Sequence, residues 1–160
     1  MELKIMMTVT FDMDGTIYDL YGIPDWLPRL RNELPGAYTE GKPLVDMDEL
    51  STICRNLQAA GVKVGIVTWL GKDVSKQFEE LSTEEKKQWA RDYFKIKLDF
   101  FYAVPYGTPK HKVAPRAKKM IIVDDSDEIR AAWNSPKQRI SINAKFDIIQ
   151  PLQELLSTLQ

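Results

Sequence analysis

Asp12 and Asp14 stand two positions apart, directly after the apolar, β-branched stretch Lys4 to Phe11, and Gly15-Thr16 follow them. A second acidic pair, Asp124-Asp125, ends the apolar run Met120 to Val123. A third apolar run, Val62 to Thr68, stops at Thr68-Trp69. Two carboxylates so spaced can divide labour, one attacking phosphorus as a nucleophile while the other donates a proton. Four carboxylates drawn to one place repel one another unless a cation sits among them. Hard oxygen donors with no histidine or cysteine beside them favour Mg²⁺, which commonly takes one or two carboxylates plus substrate phosphate. An Asp-x-Asp-Gly also occurs in calcium loops, but those need further acidic ligands and a Glu in the same loop, absent here.

These residues need elements that carry them to one place. The run ending at Phe11 reads as a buried strand entering a turn. Leu50, Ile53, Cys54, Leu57 and Ala60 recur at helical spacing, and Gly61 closes that helix. Val62 to Thr68 is a second strand. Asp73 then caps a helix, and Ser82 with Glu85 predicts the capping-box start of a separate one carrying Trp89, Tyr93 and Phe94. Phe100 to Val104, Met120 to Val123 and Arg139 to Asn143 supply three more strands. Ile148, Ile149, Leu152, Leu155, Leu156 and Leu159 form the stripe of a closing helix. Strands alternating with helices imply a doubly wound, Rossmann-like parallel α/β sheet, which binds ligands beyond the carboxyl ends of its strands. Asp12, Asp14, Thr68, Asp124 and Asp125 all fall at that edge. Tyr18 to Pro43, rich in proline, holds one short helix around Trp26 to Leu34 and reads as inserted rather than core.

Phe11-Asp12-Met13-Asp14-Gly15-Thr16 resembles the first motif of the haloacid dehalogenase superfamily in its phosphatase form. Val67-Thr68, a lysine near Lys110, and Ile121-Ile122-Val123-Asp124-Asp125 follow in the family's order. The resemblance implies that Asp12 forms an aspartyl-phosphate and that Asp14 protonates the leaving oxygen, then helps activate water. It implies Mg²⁺ held by the Asp12 carboxylate, the Asp14 backbone carbonyl and Asp125, with Asp124 orienting the lysine or a metal-bound water. Thr68 and the Trp69 N–H bind phosphoryl oxygens in that scheme, and Lys110 neutralises charge on nucleophile and phosphate. Asp14 points to phosphomonoester hydrolysis or phosphomutase chemistry, since ion-pumping relatives typically have Thr there.

Each assignment has a plainer counterpart. Asp124 can cap the following helix, and Asp127 and Glu128 suit that helix's first turn. Lys112 competes with Lys110, which is preferred because it follows a Gly/Pro turn beyond the third strand. Trp69, Trp26 and Tyr21 are more simply packing residues than stacking platforms, Cys54 is core, and His111 has no partner to make it a base.

The chain is 160 residues with 22 basic and 23 acidic side chains, which suits one domain of ordinary globular composition. That balance argues against a surface built wholly to grip nucleic acid or anionic membrane. Lone His111 and Cys54 leave no room for a serine–histidine triad, a histidine metal site or an internal disulfide, so a reducing, cytoplasmic setting is expected. The expectation is one hydrolase domain over 1–160, with a small flap at about 17–47 in place of a full cap. A cap excludes water and reads the leaving group. Without one, the substrate is a small nucleotide held by the flap, a phosphate-ended macromolecule reaching an open site, or a molecule enclosed by a neighbouring subunit. A phosphotransferase sharing the Asp12 intermediate, or a non-catalytic binding protein on the same fold, is the alternative.

Overall fold

The computed structural model describes residues 5–160. Lys4, at the start of the first expected strand, lies outside them. The chain runs β1 (Met7–Phe11), α1 (Trp26–Arg31), α2 (Met47–Ala59), β2 (Lys63–Trp69), α3 (Lys76–Tyr93), β3 (Phe100–Val104), α4 (Lys110–Val113), β4 (Lys119–Asp124), α5 (Asp127–Trp133), β5 (Arg139–Asn143) and α6 (Ile149–Ser157). All strands pair in parallel in the order β3-β2-β1-β4-β5, the doubly wound arrangement expected of alternating strands and helices. No described helix is long and apolar enough to cross a membrane.

Strand alternation divides the apolar side chains between two faces. Val9, Phe11, Val64 and Ile66 face a large core with Leu50, Ile53 and Leu57 of α2 and Leu152 and Leu156 of α6. Val67, Phe100, Met120 and Ile122 face a smaller one closed by Trp133 of α5. Register then aligns the strand ends. Phe11 sits opposite both Ile66 and Val123, and the Asp12 N–H donates to the Val123 carbonyl at 3.0 Å. Asp12, Thr68 and Asp124 therefore leave the sheet at one edge.

Two sequence expectations fail on the same helix. Asp73 caps nothing: it adopts a left-handed backbone (φ 56°), and Ser75 caps α3 by accepting from the Phe78 N–H at 3.1 Å. Ser82 and Glu85 do not start a helix either, because α3 runs unbroken for 18 residues. The capping pattern is overridden because Glu85 reaches out of the helix instead, accepting from the Gly36 N–H at 2.8 Å.

The segment between β1 and α2 departs from an insertion lying outside the core. Tyr18, Leu20, Ile23, Ala37 and Tyr38 are buried with the main cluster. Its backbone polar groups find partners, as burial requires. The Tyr18 hydroxyl donates to the Ala37 carbonyl at 2.6 Å and accepts from the Gly41 N–H at 2.9 Å, while the Trp89 indole N–H donates to the Gly41 carbonyl at 3.1 Å. Proline-rich composition marks irregular backbone here, not exclusion from the core.

Cys54 is fully buried on α2, and burial pushes its thiol up to about 12. The thiolate is the reactive form, so at pH 8 the native protein should resist iodoacetamide. Labelling followed by mass spectrometry should find adduct only after denaturant is added.

Candidate active site

The turn after β1 gathers the first acids. The Met13 carbonyl accepts from the N–H groups of Thr16, Ile17 and Tyr18, each at 3.0 Å, which folds the chain back on itself. Gly15 sits at φ 80°, where a side chain is strained, and a β-carbon there would stand 2.5 Å from Asp125 Oδ2. Glycine at this place lets the loops after β1 and β4 approach.

Within the crevice, the Lys110 ammonium lies 2.7 Å from Asp12 Oδ1 and 3.1 Å from Asp124 Oδ2. Of the two lysines the sequence left open, Lys110 therefore enters the site, from the first turn of α4, and is buried there. The Thr16 hydroxyl lies 3.0 Å from Asp12 Oδ2 and 3.2 Å from Asp125 Oδ1, one proton shared between two carboxylates. Asp124 Oδ1 accepts from the Ser126 N–H at 2.9 Å, so this residue both shapes the turn into α5 and holds the lysine. Ser126, not Asp124, caps α5, whose first turn carries Asp127 and Glu128.

Asp14 turns the other way. Its Oδ2 accepts from Lys86 at 3.1 Å, whereas its Oδ1 is buried and has no described partner. Lys86, on α3, also donates to Thr68 Oγ1 at 2.7 Å and to the Trp69 carbonyl at 2.8 Å. All three ammonium protons are thereby used, and the Tyr38 ring lies 4.5 Å away. Such saturation is what makes the burial of a lysine tolerable. Thr68 is thus tied to Lys86 rather than opened to the cleft, which Trp69 and Lys110 line. A hydroxyl that accepts from Lys86 keeps its own proton free to donate.

Lys86 and Thr16 had no role in the sequence reading. Lys86 sits inside the charged run Glu84-Glu85-Lys86-Lys87, which reads as a solvated helix face. Its one signal is spacing: it falls four after Ser82 and three before Trp89, on the buried stripe of α3. Thr16 was visible only as the last residue of the first acidic motif.

Charge is unbalanced in this crevice. Asp12, Asp14, Asp124 and Asp125 face the ammonium groups of Lys86 and Lys110, so four carboxylates against two cations leave two negative charges uncompensated. Asp12, Asp124 and Asp125 can each present an oxygen within 4.8 Å of the others. The donors are all oxygen and the deficit equals the charge of one divalent ion, which fits Mg²⁺. Protons answer the same deficit when no cation is bound. Burial, followed by the charge of Asp12, pushes Asp124 up to about 7. Burial is the leading cause for Asp14 and Asp125 too, both raised. Burial opposes the charge on Lys110, but Asp12 and Asp124 outweigh it and the net shift is upward.

The acids floor a cleft of about 830 Å³. Tyr21 hangs over it, its hydroxyl raised to about 12 by burial and then by Asp14, Asp125 and Asp12.

Two measurements follow from this geometry. Lys86→Met leaves the largely buried Asp14 carboxylate unpaired and should cost about 3 kcal/mol in denaturant unfolding. Adding Asp14→Asn should recover part of that loss, since the orphaned group is then neutral. The second concerns pH. A carboxylate whose folded pKa is raised keeps a proton that the unfolded chain has lost, so stability falls as pH climbs from about 4 to about 7. A Mg²⁺ ion bound by these acids would replace those protons, so added Mg²⁺ should raise the melting temperature more at pH 7.5 than at pH 5.

No family model and no curated protein matches the sequence. Among solved structures, the chain is similar to D,D-heptose 1,7-bisphosphate phosphatase from Burkholderia thailandensis, over 94% of this chain and 98% of that one, with a TM-score of 0.50 and 14% identity. A likeness at that identity speaks for architecture. Together with the five-stranded parallel sheet, it gives this chain a doubly wound, Rossmann-like α/β fold shared with that phosphatase.

Proposed function

We propose that the protein is a Mg²⁺-dependent phosphomonoester hydrolase working through an aspartyl-phosphate on Asp12. The observation that carries this reading is the division of roles between Asp12 and Asp14. Asp12 is held by Lys110 and Thr16 at the floor of the cleft, while Asp14, two residues on, keeps one buried oxygen without a partner.

In this scheme the Asp12 and Asp125 carboxylates and the Asp14 backbone carbonyl would hold Mg²⁺, with Asp124 beside them. When bound, the ion supplies positive charge next to the phosphoryl oxygens. The Asp12 carboxylate attacks phosphorus, and the ester bond to the leaving oxygen breaks. Lys110 stays against Asp12 and neutralises charge on nucleophile and phosphate. Asp14, whose proton affinity is raised by burial, gives its proton to the leaving oxygen, with Lys86 beside it. The Asp14 carboxylate then takes a proton from the water that splits the aspartyl-phosphate, which frees phosphate and restores both acids. The Trp69 N–H steadies a phosphoryl oxygen, a donor of this kind typically worth about 3 kcal/mol at the transition state, while Thr68 fixes that strand end through Lys86.

The test uses p-nitrophenyl phosphate. Hydrolysis should require Mg²⁺ and fall by at least about 1000-fold in Asp12→Asn, in line with the loss of other nucleophiles. Asp14→Asn should slow breakdown of the intermediate, so that acid-quenched samples carry phosphate on the Asp12 peptide by mass spectrometry. Undiminished turnover in Asp12→Asn would remove the proposal. So would a folded, Mg²⁺-saturated protein that hydrolyses no ester.

A further inference from the structure

Above the acids, the cleft is walled by aromatic rings on two sides. The flap contributes Tyr21 and Trp26, packed edge to face with centroids 4.9 Å apart. The ends of β2 and β3 contribute Trp69 and Tyr106, tilted with centroids 5.0 Å apart. Leu27 and Leu30 of α1 and Leu70 line the same cleft.

Both walls adjoin the acids. The Tyr21 ring edge lies 3.2 Å from where a β-carbon on Gly15 would stand, the same point that falls beside Asp125. The Trp69 ring centroid is 5.7 Å from the Lys110 ammonium, itself 2.7 Å from Asp12. A group attached to phosphate on Asp12 therefore emerges between the rings.

The walls are set before any ligand arrives. The Trp69 indole N–H donates to the Thr108 carbonyl at 2.8 Å, which fixes the plane of the ring. The flap is fastened to α3 at two places, through Glu33 to the Ser75 N–H at 3.1 Å and through Glu85 to the Gly36 N–H at 2.8 Å. Tyr21 and Tyr106 nonetheless remain 55% and 56% exposed. Rigid aromatic faces open to water inside a concave site are surface that a ligand ring can cover at small entropic cost.

The lining also carries Arg31, Glu33, Lys72, Asp73 and Ser126, so polar partners are present; what distinguishes the cleft is its four aromatic rings. A flat ring needs only apolar faces, and stacks on them. A single phenyl group would leave most of 830 Å³ unfilled, whereas a nucleoside occupies more of it.

We infer that this cleft selects nucleoside monophosphates, with the base between the Tyr21–Trp26 wall and the Trp69–Tyr106 wall and the phosphate over Asp12. The placement of the phosphate rests on the hydrolase reading above. The arrangement of the rings does not.

Titration calorimetry on Asp12→Asn with Mg²⁺ tests it without turnover. Adenosine 5′-monophosphate should bind at least tenfold more tightly than glucose 6-phosphate, and more tightly than phenyl phosphate. Tyr21→Ser and Tyr106→Ser, each added to Asp12→Asn, should weaken the nucleotide about tenfold, the scale of one lost stacking partner, and weaken glucose 6-phosphate less. Equal affinity for nucleotide and sugar phosphate would overturn the inference, as would phenyl phosphate binding as tightly as the nucleotide. Serine variants that lose both ligands alike would overturn it too. Failure of the two readings can be told apart with the unaltered protein and the same three esters. Selective nucleotide binding without hydrolysis of any ester supports the cleft assignment and removes the hydrolase. Hydrolysis of all three esters with equal kcat/KM, alongside unselective binding, does the reverse.

Discussion

Four carboxylates converge where β1 and β4 end, and the surrounding structure answers their repulsion. Two lysines from different elements are drawn in and buried, which is costly unless every proton finds an acceptor. Lys86 meets that condition with Asp14, Thr68 and the Trp69 carbonyl. Lys110 bridges Asp12 and Asp124 and lies near the Trp69 ring. The positions of α3 and α4 are tied to these contacts as firmly as to apolar packing. Two negative charges are still left over, and the site meets them with protons or a divalent cation.

What could be read from the sequence depended on whether the signal was local. Every strand was recognisable, since β1, β2 and β4 are apolar runs that stop at polar residues, and parallel pairing followed from the alternation with helices. Asp12, Asp14, Asp124 and Asp125 were legible because each directly follows such a run. Lys110 was legible through the Gly107–Pro109 turn that precedes it. Lys86 was not, because its flanking charges look the same whether they face water or a crevice, and only the docking of α3 decides. Ser82 and Glu85 misled for a related reason. Their spacing fits a helix start, yet the Gly36 and Tyr38 N–H groups, more than forty residues away, claim the Glu85 carboxylate. The flap was underestimated because composition reports irregular backbone and not the partners that make its burial affordable, such as the Tyr18 hydroxyl between Ala37 and Gly41.

Consecutive residues of α3 serve two different parts of the site. Glu85 fastens the flap, and Lys86 holds Asp14 and Thr68. The Gly36–Tyr38 part of the flap and the Asp14 carboxylate thus share one turn of one helix as their anchor. A shift of α3 along its axis would disturb both, whereas a change of length at the exposed tip of the flap would reach neither.

Anchoring the flap at both Glu33 and Glu85 has a kinetic consequence. Enzymes that enclose their substrates are often paced by the opening of a lid. Here the flap beside the acids is tied to α3 at both places, so in the proposed scheme substrate would enter past a wall that is already in position. On the hydrolase reading, turnover would then be governed by the chemistry on Asp12 and by how strongly the rings retain the departing alcohol. In the proposed scheme, water would have standing access to a phosphorylated Asp12, which would favour transfer to water over transfer to a second acceptor.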